Sequence, residues 1–157
     1  MLIRPHHEIP GDPRRILVIQ LGDIGDVVWT WPALHALRTR FPGAELSLLT
    51  RRGRGGLLEA NPLLREIVEV VQPRGGGLRA LSAHAGFLAR LRRGRFDLAV
   101  DLRGDERGAF LARSTGAPVR ISLAYSRRDV PFWRNRMFTH LAAAPLPGAG
   151  PYRGPAE

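Results

Sequence analysis

The sequence predicts an α/β fold, a Rossmann-like parallel sheet flanked by helices, and three observations carry that prediction. Short apolar runs alternate with segments of helical periodicity along most of the 157 residues. The first run, residues 16–21, is aliphatic almost throughout, as befits a strand buried on both faces. Two of the strands then run into turns rich in glycine and acid, one at residues 22–26 and one at residues 101–108. Right-handed crossovers place all strand ends on one edge, where open α/β sheets bind their ligands.

The elements follow in order. After strand one, residues 27–41 carry Val28, Trp31, Leu34, Leu37 and Phe41 at helical spacing, and Pro42-Gly43 stops them. Pro32 lies inside this pattern and predicts a kink or a late helix start. Glu45–Thr50 reads as strand two, residues 55–60 as a short helix closed by Asn61-Pro62, and residues 67–71 as strand three. Beyond Gly75-Gly76-Gly77, Leu78–Arg93 has helical periodicity with Arg79, Arg90, Arg92 and Arg93 around it. Residues 96–102 read as strand four, Glu106–Ser114 as a helix, and residues 119–123 as a weaker fifth strand. The expected organisation is a flexible N-terminus over 1–14, one domain over 15–140, and a Pro/Gly-rich linker or frayed tail over 141–157.

Composition narrows the function classes. With 44% hydrophobic and 24% charged residues the chain is that of a globular protein. No apolar run approaches the roughly 20 residues that span a bilayer, and no signal-peptide core is present, so a cytoplasmic home is expected. Without cysteine there is no thiolate metal site. The histidines, His6, His7, His35, His84 and His140, show no metal spacing, so no metal site is expected. All 24 basic residues are arginine, a bias that fits a GC-rich bacterial coding sequence, and the net charge is +10. Such a surface attracts polyanions: nucleic acid, anionic lipid or a phosphorylated glycan. No nucleic-acid recognition motif accompanies the charge, and none is expected as a partner.

The first glycine turn is neither of the familiar nucleotide loops. Its glycines run Gly22-x-x-Gly25 rather than G-x-G-x-x-G, and strand two ends in Arg51-Arg52 rather than in an acid. Those arginines leave a 2′-phosphate reading open, while a Walker A loop needs a lysine that the chain lacks. Asp23 and Asp26 therefore have two readings. Each suits a helix N-cap, where the dipole favours a negative charge. Each also suits a general base at the ligand edge of the sheet. The same duality holds after strand four: Asp105 and Glu106 fit a capped helix start, while Arg103 or Arg107 could face a phosphate or carboxylate. The arginines over 78–95 read as a solvated face or as a contact for anionic headgroups. Trp29, Trp31, Phe132 and Trp133 read as core or domain-contact residues.

Several motifs in one order resemble the N-terminal domain of glycosyltransferase family 9, the ADP-heptose:lipopolysaccharide heptosyltransferases. They are Leu21-Gly-Asp-Ile-Gly-Asp26, Thr30-Trp-Pro-Ala-Leu-His-Ala-Leu-Arg38 with Phe41-Pro42, Glu59-Ala-Asn-Pro-Leu63, and Phe96-Asp-Leu-Ala-Val-Asp-Leu-Arg-Gly104. The segment from Ala112 to Arg120 extends the match, which runs from about Arg15 to Ile121. The resemblance implies a GT-B enzyme that transfers heptose from ADP-heptose, with inversion, to an anionic inner-core acceptor of lipopolysaccharide. It implies Asp26 as the catalytic base and a substrate-binding set of Gly22, Asp23, Gly25, Arg103, Gly104 and Arg107. It implies no cofactor beyond the donor substrate, and a peripheral place at the cytoplasmic face of the inner membrane. Arg103 departs from the glutamine common in the family, and the segment ending at Arg136 matches it only loosely. Members are about twice this long, so the expected chain is an acceptor-side half lacking the donor-binding domain: a truncation, a degenerate copy, or a split gene whose partner is a separate C-terminal half. The alternative is a non-catalytic basic module that binds an anionic glycan or lipid.

Overall fold

The computed structural model describes residues 11–71, 77–124 and 131–143. Strand β1 (Arg15–Gln20) is paired in parallel with β2 (Glu45–Thr50) on one side and β4 (Leu98–Asp101) on the other. Outside β2 lies β3 (Leu64–Glu69), and outside β4 lie β5 (Val119–Ala124) and β6 (His140–Ala143), all parallel. The order β3-β2-β1-β4-β5-β6 is that of a doubly wound sheet, reversing direction between β1 and β4. The expected α/β class is present, and the switch point falls between the two strands whose turns carry glycine and acid.

Burial explains the arrangement. Ile16, Leu17, Val18 and Ile19 are wholly buried, because β1 alternates between two apolar layers. On one face Ile16 and Val18 pack with Val27 and Leu34 of helices α1 (Ile24–Val28) and α2 (Trp31–Arg40). On the other, Leu17 and Ile19 pack with Phe87 and Leu91 of α3 (Leu78–Arg93) and Ala109 and Ala112 of α4 (Glu106–Ser114). A short 3-10 turn (Gly55–Leu58) and helix α5 (Phe132–Arg136) complete the described elements.

The differences from the sequence reading have local causes. The pattern over 27–41 divides into α1 and α2, with Pro32 in the first turn of α2, where its missing N–H costs nothing. Strand β3 begins at Leu64 rather than 67; it is an edge strand, so charged Arg65 and Glu66 can sit in it exposed. His140–Ala143 forms the sixth strand, so the sheet continues into the stretch read as tail. At the other end Pro13 is buried and the Arg14 N–H donates to Asp97 Oδ2 at 2.8 Å, so packing begins before residue 15. The expectations for residues 1–10, 72–76, 125–130 and 144–157 fall outside the described residues.

Candidate active site

At the C-terminal edge the turn after β1 is built around Gly22. A Cβ on that residue would lie 1.9 Å from Asp26 Oδ2, so only glycine lets the carboxylate fold back over the turn. Asp26 Oδ2 accepts from the Asp23 backbone N–H at 3.0 Å, which satisfies one orphan donor at the start of α1. It also accepts from Arg103 Nη1 at 3.3 Å. Asp23 is the N-cap residue of α1, with extended backbone, and its Oδ1 meets Arg51 at 3.4 Å and Arg54 at 3.5 Å. The two acids therefore do not divide into one that caps and one that stands apart. Asp26 serves the helix start and still faces solvent, its side chain 50% exposed.

Magnitudes decide what these pairs are for. Exposed ion pairs contribute about 0–1 kcal/mol, so neither the Asp26–Arg103 pair nor the Asp23 pairs hold the fold together. Their effect is orientation. Arg103, also 3.0 Å from Asp105 through its Nε, sets a cation beside the Asp26 carboxylate.

The turn after β4 uses its acid in the opposite way. Asp101 is buried, Oδ1 accepting from the Arg103 N–H at 3.2 Å and Oδ2 from the Gly104 N–H at 3.1 Å. Gly104 takes a φ of 71°, a left-handed conformation suited to glycine, and this lets the chain curl around the carboxylate. Oδ2 also accepts from Ser122 Oγ at 3.3 Å, and that hydroxyl accepts from Arg134 Nη2 at 3.1 Å. Burial pushes the Asp101 carboxyl up to about 6, against the backbone donors and the Arg134 charge, which pull it down. At neutral pH it is mostly ionised and anchors the turn. Gly108 permits this too, since a Cβ there would stand 2.6 Å from Asp101 Oδ1. Asp105 caps α4, accepting from the Gly108 N–H at 2.7 Å.

An open groove of about 1290 Å³ runs along this edge between α3 and α4. Phe87, Leu88, Phe110 and Trp133 give it an apolar floor, and Arg51, Arg103 and Arg107 bring positive charge to it. Gly104 lines it, while Gly22, Asp23, Gly25 and Asp26 stand outside its lining; Arg103 links the groove to Asp26 and Arg51 links it to Asp23. Of the aromatic residues read as core or contact, Trp29 is 79% exposed and Trp31 44% exposed, because the break between α1 and α2 turns them outward. The Asp101–Ser122–Arg134 network escaped the sequence reading. The only signal was an acid closing a buried strand, with partners 21 and 33 residues further on. Among the described residues no cluster of three or more potential metal ligands occurs. No described helix is long and apolar enough to cross a membrane.

No protein-family model matches the chain. It is 29% identical over 124 residues to a lipopolysaccharide heptosyltransferase 3 of Escherichia coli, covering 79% of this chain and 36% of that protein. A second, from strain K12, is 26% identical over 118 residues, with 34% of its length covered. The chain thus spans about a third of the length of these relatives. Among solved structures, a glycosyl transferase family 9 protein from Veillonella parvula DSM 2008 superposes with a TM-score of 0.66 at 24% identity, over 82% of this chain and 35% of that one. E. coli heptosyltransferase WaaC, solved with ADP-2-deoxy-2-fluoro heptose, superposes with a TM-score of 0.72 at 17% identity, over 86% and 44%. In sequence and in fold, over about 80% of its length, this chain is similar to the heptosyltransferases of glycosyltransferase family 9, whose fold is GT-B.

Proposed function

We propose that the chain is the acceptor-side half of a heptosyltransferase-type glycosyltransferase with Asp26 as general base. The observation that carries this reading is the Asp26 carboxylate, held at the sheet's switch point by the Asp23 N–H and Arg103, yet open to solvent. A sugar hydroxyl is a weak nucleophile until a positioned base accepts its proton. In the proposed step the acceptor oxygen bonds to the anomeric carbon of ADP-heptose from the face opposite the diphosphate. The bond to the diphosphate oxygen breaks, ADP leaves with the electron pair, and Asp26 takes the hydroxyl proton. No metal or cofactor is invoked; donor binding falls mainly to the part of such an enzyme that this chain does not match. Gly22 and Gly104 shape the two turns, and Arg103 and Arg107 offer guanidinium groups to the anionic inner core.

Peripheral contact with the cytoplasmic face of the inner membrane belongs to the same proposal. Helix α3 holds four arginines and no acid, and its Leu78 and Leu81 are 84% and 66% exposed. Vesicle sedimentation checks this: the chain should pellet with anionic but not zwitterionic vesicles.

The enzymatic reading is tested by joining the chain to a donor-binding half and assaying heptose transfer from ADP-heptose to inner-core acceptor. Product formation that needs both halves is expected. Binding of the oligosaccharide without any transfer would favour the non-catalytic module instead.

A further inference from the structure

One exposed side chain beside Asp26 has no part in the fold. Trp29 closes α1 as its C-cap residue and is 79% exposed, the most exposed of the described aromatic residues. Its backbone is fixed, the N–H donating to the Gly25 carbonyl at 3.0 Å. Trp29 follows Asp26 by three residues and Gly25 by four, so all three share one face of the helical turn. At Gly25 an added Cβ would meet nothing within 4 Å, so the surface one turn before the indole, next to Asp26 in the chain, is open. Trp31, by contrast, is engaged with His35, ring centroids 5.2 Å apart.

On the reading of Asp26 as base, we propose that Trp29 is an aromatic platform on which the ring of the acceptor sugar stacks, setting which hydroxyl reaches Asp26. A pyranose presents a face of C–H groups, weakly positive and apolar, which matches the negative face of an indole. An indole has only two side-chain torsions to fix, so it offers a large contact at low entropic cost. The open ledge at Gly25 gives the sugar room alongside the ring. Both Arg103 Nη1 and the Asp23 N–H meet the same oxygen of Asp26, Oδ2, and the carboxylate stays half-exposed for approach. Stacking of this kind selects ring shape and is insensitive to salt, whereas contacts to the arginines select charge and weaken with salt.

The test uses the full chain, with deacylated lipopolysaccharide inner-core oligosaccharide as probe and isotope-labelled indole N–H groups as reporters. The Trp29 signal, identified by its loss in Trp29→Phe, should move saturably with oligosaccharide, and sugar C–H protons should shift upfield. Trp29→Ala should weaken binding about 10-fold and Trp29→Phe no more than about 3-fold, with both ratios unchanged at high salt. Wild-type binding with a static Trp29 signal and full affinity in Trp29→Ala would overturn the platform and leave the acceptor reading intact. A Trp29 signal that moves with protein concentration instead of oligosaccharide would make the patch a contact between copies, and likewise overturn it. Absence of any binding by the wild-type chain would overturn the platform and the acceptor reading together.

Discussion

After β1 the chain sets Gly22 and Asp23 ahead of a helix whose first turn holds Gly25 and Asp26, and β4 ends in Asp101 with Arg103, Gly104 and Asp105 leading into another. Both turns combine glycine with acid at the same sheet edge. The first leaves the Asp26 carboxylate half-exposed, whereas the second buries Asp101 and turns Arg103 outward. The difference comes from position in the sheet. Asp101 is the last residue of a central strand, opposite Ile19 and Ser122, and is enclosed by neighbours on both sides. Asp26 lies four residues past its glycine, inside a short helix at the surface. Asp101, within a strand end, is enclosed and structural, whereas Asp26, beyond one, stays open to solvent.

The contrast can be broken most severely at the buried acid. Asp101→Ala leaves the Arg103 and Gly104 N–H groups and the Ser122 hydroxyl short of an acceptor, near the buried Arg134. A loss of roughly 3 kcal/mol is expected in urea unfolding. The matching truncation Asp26→Ala should cost under about 1 kcal/mol. Equal losses at the two sites would erase the distinction.

The pH dependence sharpens it. The Asp101 carboxyl is pushed from 3.8 up to about 6 in the folded chain, so between those values the unfolded chain binds fewer protons. This group's contribution to stability is therefore full at low pH and is lost as pH rises from about 4 to about 6. The whole change is roughly 3 kcal/mol at most. Subtracting the pH profile of Asp101→Asn from that of the wild type should isolate this fall, and a flat difference would contradict the burial argument.

Two glycines separate close approach from open surface. Gly22→Ala drives a methyl into Asp26 Oδ2 and should destabilise the chain by roughly 1–3 kcal/mol. Gly25→Ala, inside α1 and facing nothing, should stabilise by about 0.5 kcal/mol through the unfolded state and helix propensity. Thermal melts of the two variants should move in opposite directions.

Much of this was legible in the sequence where burial writes a continuous pattern. The aliphatic run of β1 and the capped start of α4 at Asp105 needed only local rules. Strand β6 did not announce itself, because His140-Leu-Ala-Ala is short and its pairing with β5 is supplied by the sheet. Of the core and domain-contact readings of Trp29 and Trp31, exposure removes the first, since spacing shows periodicity but not which face is covered once Pro32 divides the helix. The glycine turn and Asp26 were visible as a motif. The Arg103 contact that orients Asp26 spans 77 residues and exists only after folding.

The central claim is that Asp26, and not its neighbour, takes the acceptor proton. Transfer by the chain joined to a donor-binding half, compared between Asp26→Asn and Asp23→Asn, tests it most directly. Asp26→Asn should lower kcat by about 10²–10⁴-fold with little change in acceptor KM, while Asp23→Asn should keep kcat within about threefold. Equal turnover by the Asp26→Asn protein and the wild type would contradict the account.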